Sequence, residues 1–240
     1  MNLLTILRDE KSSGLKGGIY HQTQIKLAYN SNRIEGSKLS EEQTRYIYET
    51  NTLFINNGET TANVDDIVET VNHFSCFDYM LDIADEPLSE EHIKKFHYLL
   101  KINTSHSKKS WFRVGDYKLK PNIVGGIETS SPFNVPSDMK NLIETYLNKK
   151  EITVNDIIDF HFKFEQIHPF QDGNGRVGRL IIFKECLSNN IIPFIIEDDH
   201  KFFYYRGLAE YPKVNAYLID TCLSAQDNYK KTIDYFINKH

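Results

Sequence analysis

The stretch "HPFQDGNGRVGR", His168 to Arg179, decides the reading of this chain. The residue before a proline is pushed out of helical geometry, so the helical pattern running up to Ile167 should end there, leaving His168 at a bend. Phe170 is apolar within a polar run and is expected to anchor the loop to the core. Asp172-Gly173-Asn174-Gly175 is a turn signal whose glycines permit unusual backbone angles and close approach. A helix should restart near Gly175 or Arg176. Its first N–H groups lack internal partners, and a glycine-rich loop feeding a helix N-terminus makes an anion site. Arg176 and Arg179 are three apart and share a helix face. Two guanidiniums beside free N–H groups fit a polyphosphate. Asp172 would be repelled by phosphate unless a cation intervenes, and one carboxylate plus phosphate oxygens is a common way to hold Mg²⁺. His168, with an unperturbed pKa of about 6.5, is placed as a general base. Taken singly, these features are a packed histidine, a turn and two surface charges. Taken together, the nine fixed positions recur by chance at about 10⁻¹² per position on ordinary residue usage.

Outward from this stretch the chain reads as helices. A short helix opens it and breaks at Gly14, Gly17 and Gly18, and a second runs from about Ile19 to Glu35. A third follows Ser40 as N-cap. A fourth starts after Asn63 with Val64, Ile67, Val68, Val71, Phe74 and Phe77 at three- and four-residue spacing. Ser89 caps a fifth. The Gly-, Pro- and Ser-rich stretch from Ser110 to Asp138 reads as a loop carrying a short hairpin around Asn122 to Thr129. Helices resume from Ser137. The one ending at Ile167 opens with Thr153 and Asp156 as a capping box. The last two run from about Asp199 to Glu210 and from about Asn215 to the end. His161, His200 and Trp111 are read as packing residues.

The chain has 240 residues with a net charge of −5, 40% hydrophobic and 25% charged. These are ordinary values for a soluble globular protein. No long basic run supports a broad nucleic-acid footprint. No apolar run approaches membrane length, and the N-terminus lacks the pattern of a secretory signal, so the expected compartment is the cytoplasm. Cys76, Cys186 and Cys222 are too few and too scattered for a disulfide framework and match no zinc spacing. They read as buried free thiols.

"HPFQDGNGRVGR" resembles in full the signature HPFx[D/E]GNGRxxR of the Fic-domain family. "GDYKLKPNIVGGIETSSPFNVPSDMKNL" is similar to the family's flap hairpin, and "KFFYYRGLAEY" resembles its downstream Tyr-Tyr segment. Lys118 stands where relatives often have arginine, a difference not expected to alter the chemistry. A DNA-binding module after the core, as in some relatives, is not expected from these residues. The resemblance implies an all-α, Fic-like helical bundle with one short β-hairpin flap. It implies N-terminal helices over 1–87, a catalytic core over 88–225, and a helix end packed on the core over 226–240.

The resemblance further implies transfer of AMP from ATP to a Tyr, Thr or Ser hydroxyl of a target protein, with autoadenylylation as an accompanying reaction. His168 would take the proton. Asp172 would bind Mg²⁺. Gly173, Asn174, Gly175, Val177 and Gly178 belong to the loop and helix start that would line the phosphates, with Asn174 and the loop N–H groups on the α-phosphate. Arg176 would hold the β-phosphate and Arg179 the γ-phosphate. Val124, Gly125, Gly126 and Ile127 of the flap would clamp the target backbone and border the nucleotide. Tyr204 and Tyr205 would line the adenine site. Removal of AMP from a modified protein, and nucleotide-responsive binding without turnover, stand as alternatives, and a homo-oligomer is left open.

One more motif bears on this. "SNRIEG", Ser31 to Gly36, fits the family's inhibitory pattern [S/T]xxxE[G/N]. Glu35 falls in the last turn of a helix, where the dipole disfavours an acid. Ser31 and Glu35 are four apart and face the same way. Glu35 is therefore expected to pair with Arg179 and occupy the γ-phosphate's partner, with Ser31 holding the arrangement.

Overall fold

The computed structural model describes residues 2–53 and 61–237. Among the described residues, ten α-helices run in the order α1 (Leu3–Ser13), α2 (Ile19–Ile34), α3 (Glu41–Thr50), α4 (Val64–Asp82), α5 (Glu90–Lys101), α6 (Val135–Leu147), α7 (Val154–Ile167), α8 (Asn174–Ser188), α9 (Lys201–Glu210) and α10 (Ala216–Ile237). A two-stranded antiparallel hairpin, β1 (Ile123–Val124) and β2 (Ile127–Glu128), lies between α5 and α6. The protein is all-α with one β-hairpin, as expected. Residues 238–240, the end of the expected C-terminal segment, fall outside the described residues.

Local chemistry sets most helix ends. Ser40 and Gln43 form a capping box on α3, and Thr153 and Asp156 form one on α7. Asn63 and Ser89 each accept from an N–H in the first turn of α4 and α5. Each such cap contributes about 1 kcal/mol. Two starts differ from the sequence reading. Helix α6 begins at Val135, because Pro136 is tolerated in a first turn, where its missing N–H is not needed. Helix α8 begins at Asn174, because Gly173 takes the left-handed conformation (φ 86°) as its N-cap.

Helix α8 is the axis of the fold. Every residue from Asn174 to Leu187 is buried, so it is enclosed on all sides. It packs against α7, α5, α4 and α2. Phe183 of α8 meets Phe77 of α4 and Tyr229 of α10 edge-on, each pair of centroids 5.6 Å apart. The stripe on α4 departs from expectation at its N-terminal end. Val64 and Val71 are exposed, and the buried face instead includes Thr70 and His73. That face looks onto the guanidiniums of α8, so polar residues replace aliphatic ones; the pKa of His73 is lowered first by burial and then by Arg176 and Arg179.

Gly125 and Gly126 form the hairpin's two-residue turn with φ of 57° and 81°. That sign at both central positions suits the twist of a tight hairpin. Cys76, Cys186 and Cys222 are buried and free. Among the described residues no helix is long and apolar enough to cross a membrane. His200 and Trp111 are not core residues. The His200 side chain is 44% exposed beside Asp199, and Trp111 is half-buried under the Lys109 and Lys120 ammoniums.

Candidate functional site

Helix α7 ends where the sequence places the bend. His168 is its C-cap in left-handed backbone (φ 51°, ψ 62°), and its N–H still donates to Phe164 O at 2.9 Å. Few non-glycine residues occupy this region. Pro169 then turns the chain. Phe170 is fully buried and stacks on His97 at 4.0 Å, fixing the loop to α5. Asn174 closes the loop, accepting from Phe170 N–H at 2.8 Å and donating to Phe170 O at 2.9 Å. Asn174 therefore shapes the loop through Phe170, and one of its two Nδ2–H donors is not used in that contact.

The first intrahelical bond of α8 runs from Val177 N–H to Gly173 O. The N–H groups of Asn174, Gly175 and Arg176 precede it and face the loop. Val177 therefore has no free N–H, and its side chain is core. Gly178 lies on the opposite side, where a Cβ would stand 2.7 Å from His161 Cε1 and 2.9 Å from Glu165 Oε1. Neither Val177 nor Gly178 lines the anion site.

Arg176 and Arg179 are only 4% and 5% exposed, against the surface positions such residues usually take. Arg176 Nη1 pairs with Glu69 of α4, and its Nη2 lies 3.7 Å from Asp172. Arg179 Nε donates to Ser31 Oγ at 3.0 Å. Its Nη2 donates to Ser31 O at 2.9 Å and to Glu35 Oε1 at 2.7 Å. Its Nη1 has no partner. Glu35, the C-cap of α2, thus ends against the start of α8, its Oε1 crowding Gly175.

Two residues absent from the sequence reading complete the charge network. Glu69 also pairs with Lys101, whose Nζ donates to Asp172 Oδ2 at 2.6 Å. Asp172 Oδ1 accepts from Gly173 N–H at 2.7 Å, and His106 Nδ1 stands 3.3 Å from Oδ2. Burial alone would raise the pKa of Asp172, but Arg176 and Lys101 hold it well below the usual carboxylate range. The ionised carboxylate, with its side chain 38% exposed, has a lone-pair direction left after these contacts. That donor set fits one carboxylate ligand to a hard divalent cation.

His168 is pushed down to about 4 by burial and then by the charge of Lys118, so it is a neutral imidazole at pH 7. Glu165, one turn earlier, is pushed up to about 8 by burial and by the charge of Glu35. Tyr204 is corrected from its expected place. It is 1% exposed, its OH lies 2.6 Å from His161 Nε2, and its ring sits behind Arg179, so it presents no face to a ligand. Tyr205 is 46% exposed, and its OH donates to Ile34 O at 3.0 Å. In the hairpin, Val124, Gly125 and Gly126 are exposed.

The site thus combines a neutral imidazole, a helix N-terminus, two buried guanidiniums and an ionised carboxylate within one loop and turn. Residues 87–185 match the model of the Fic/DOC family. The chain carries a Fic domain. Relatives of this Fic domain include a probable protein adenylyltransferase of Aquifex aeolicus, 33% identical over 89 residues (36% of this chain, 28% of the relative). They also include the protein adenylyltransferase Fic of Aedes aegypti, 26% identical over 188 residues (77% of this chain, 36% of the relative). The chain therefore spans well under two thirds of these relatives' length. Its Fic fold matches the crystal structure of a Fic domain containing signaling protein from Bacteroides thetaiotaomicron with a TM-score of 0.72 at 22% identity, covering 93% of this chain and 91% of that one.

Proposed function

We propose that this chain is a self-inhibited adenylyltransferase that moves AMP from ATP to a hydroxyl side chain of a protein, itself included. One observation carries the reading. A neutral His168 closes α7 beside the open N-terminus of α8, while Glu35 occupies the partner side of Arg179.

The polyphosphate lies across the N–H groups of Asn174, Gly175 and Arg176, with Arg176 and Arg179 on its outer phosphates. Asp172 would hold Mg²⁺, which supplies charge that offsets the crowded phosphate oxygens. The target backbone lies on the hairpin at Val124 to Ile127. Its hydroxyl oxygen attacks the α-phosphorus, the bond to the bridging oxygen breaks, and pyrophosphate leaves. The imidazole of His168 takes the hydroxyl proton. Tyr205 is the aromatic with an open face for the base.

The brake follows from Arg179. With Glu35 on its Nη2 and Ser31 on its Nε and Nη2, the guanidinium is turned to carboxylate and carbonyl rather than phosphate. The N-terminal helices up to 87 would then serve as the regulatory part, and the segment after it as the catalytic part. ATP labelled in turn at the α- and γ-phosphate, incubated with Mg²⁺, tests this. Glu35→Gly should take up α-label above wild type, His168→Ala should take up none, and γ-label should stay off protein. Equal uptake by wild type and Glu35→Gly would sink the brake. No uptake by either, onto self or lysate, would sink the transfer.

A further inference from the structure

Lys118 stands between the hairpin and the His168 bend, 3% exposed. Its Nζ donates to Asn122 Oδ1 at 2.7 Å, to Thr129 Oγ1 at 2.6 Å and to Ile167 O at 3.2 Å. An ammonium has three protons, so each has one acceptor. Asn122 precedes β1 and Thr129 follows β2, so the ammonium joins the two legs of the hairpin. Ile167 is the residue before His168. The surrounding bonds repeat the pattern. Lys118 N–H donates to Pro169 O at 2.9 Å, Asn122 Nδ2 to Phe170 O at 3.2 Å, and Lys120 N–H to Gln171 Oε1 at 3.2 Å. The root of the hairpin is thus sewn to every residue from 167 to 171 except His168 itself.

Among the described residues no carboxylate pairs with this ammonium, and burial lowers its pKa to about 8. A buried charge held only by neutral acceptors is unfavourable for stability, so stability alone is a poor reason for it. An apolar residue would fill the space at less cost, but it would not tie both legs to the bend.

We infer that Lys118 is a positioning residue that fixes the height and angle of the hairpin over His168, so that a hydroxyl on a backbone laid along the hairpin meets the imidazole. This rests on the transfer reading above. The same charge faces the imidazole and helps keep it unprotonated, against the Glu165 carbonyl, Glu35 and Asp172, which act the other way. The lysine is therefore both a strut and a local positive charge. The resemblance had suggested that lysine in place of arginine here was neutral. The geometry suggests that any cation with several donors serves.

Hydrogen exchange of the hairpin amides, compared between wild type, Lys118→Met and Lys118→Arg, tests the strut without any chemistry. Amides of residues 123–128 should exchange at least about tenfold faster in Lys118→Met and return near wild type in Lys118→Arg. Unchanged exchange in Lys118→Met overturns the inference. In a Glu35→Gly background, Lys118→Met should slow AMP transfer by about tenfold to a hundredfold, the scale of a one-ångström misplacement. The KM for Mg-ATP should stay within about twofold, because the phosphate groups sit on α8. The acid limb of the rate should move upward in pH as the neighbouring charge disappears. A raised ATP KM with unchanged turnover overturns the positioning role. If the Glu35→Gly parent transfers nothing, the transfer reading fails, and the exchange data still decide whether Lys118 fixes the hairpin. Should Lys118→Met not fold, Thr129→Val removes one acceptor, and faster exchange at residues 127 and 128 is then the expected result. Its absence overturns the inference.

Discussion

Replacing Glu35 with glycine removes one carboxylate from Arg179 and leaves two acceptors on Ser31. Arg179 is 5% exposed at its side chain and Glu35 28%, so the pair is neither fully buried nor on the surface. Exposed pairs contribute up to about 1 kcal/mol, whereas breaking a fully buried pair costs about 3–5 kcal/mol. With the Ser31 bonds retained, the loss here should be about 1–2 kcal/mol, between those limits. At this chain length each kcal/mol moves the melting temperature by about 2–4 °C, so Glu35→Gly should melt about 2–8 °C lower. The gain appears in the nucleotide complex. A guanidinium freed for a phosphate oxygen makes a charge-assisted bond of about 1.5–3 kcal/mol, which corresponds to about ten- to hundredfold in transfer rate. Thermal melting without nucleotide, melting with Mg-ATP, and uptake of α-labelled ATP measure the three terms. The added nucleotide should stabilise Glu35→Gly more than wild type. Glu35→Gln keeps the shape without the charge and should fall between them. A variant that melts like wild type and labels like wild type refutes the reasoning at its first step, because the pair would then hold nothing in place.

Gly178→Ala should lose about 1–3 kcal/mol of stability through overpacking, since the new Cβ would stand 2.7 Å from His161 and 2.9 Å from Glu165; denaturant unfolding measures this. Asn174→Ala should orphan the Phe170 N–H, at about 1–3 kcal/mol, while Phe170 O keeps Asn122 Nδ2, and the loosened loop should weaken ATP binding by calorimetry. The pH dependence of stability has a definite sign. His73, His97 and His161 are pushed down to about 3 and His168 to about 4, each first by burial, so the unfolded chain takes up more protons below about pH 6.5 and stability falls as pH drops. Glu165, pushed up to about 8, contributes in the opposite sense, losing its stabilisation as pH rises towards 8, so melting temperature should peak near about pH 7. The transfer rate should keep its base well below pH 6.5, with the acid limb near about pH 4–5.

Much of this was legible in the sequence because the information is local. Ser40, Asn63, Ser89 and Thr153 sit one residue ahead of helices whose N–H groups they cap. The Pro169 bend follows from backbone sterics within a few residues, whereas the start of α8 at Asn174 depends on the left-handed N-cap at Gly173, which the sequence does not mark. The pairing of Glu35 with Arg179 was legible only through the family's pattern, since 144 positions separate them. Lys101 and Glu69 left no such trace. Lys101 ends a helix, an ordinary place for a basic residue, and nothing near it signals that it points into the fold. The Phe170 contacts of Asn174 left no trace for a related reason: an amide in a turn looks free until the backbone partner across the loop is known. Tyr204 was misjudged because an aromatic pair on one helix gives no hint of which ring faces inward.

Helix α2 is tied down along its length. Thr23 Oγ1 meets Tyr229 OH at 2.7 Å, Gln24 Nε2 donates to Asp78 at 3.0 Å, Asn30 Oδ1 accepts from Asp198 N–H at 2.9 Å, and Ile34 O accepts from Tyr205 OH at 3.0 Å. The backbone under Glu35 is therefore anchored, and rotation about the side-chain bonds of Glu35 is the motion that breaks none of these contacts. Such rotations of a partly exposed side chain take place within about picoseconds to nanoseconds. With about 1–2 kcal/mol holding the carboxylate in place, it is away roughly 3–15% of the time. Under the proposed brake, the resting rate would be a duty cycle. Every molecule in a preparation would run slowly, with no split between working and idle copies, and progress curves should start without a lag. Whatever raised that rate would have only one side chain to capture, with no helix to dislodge.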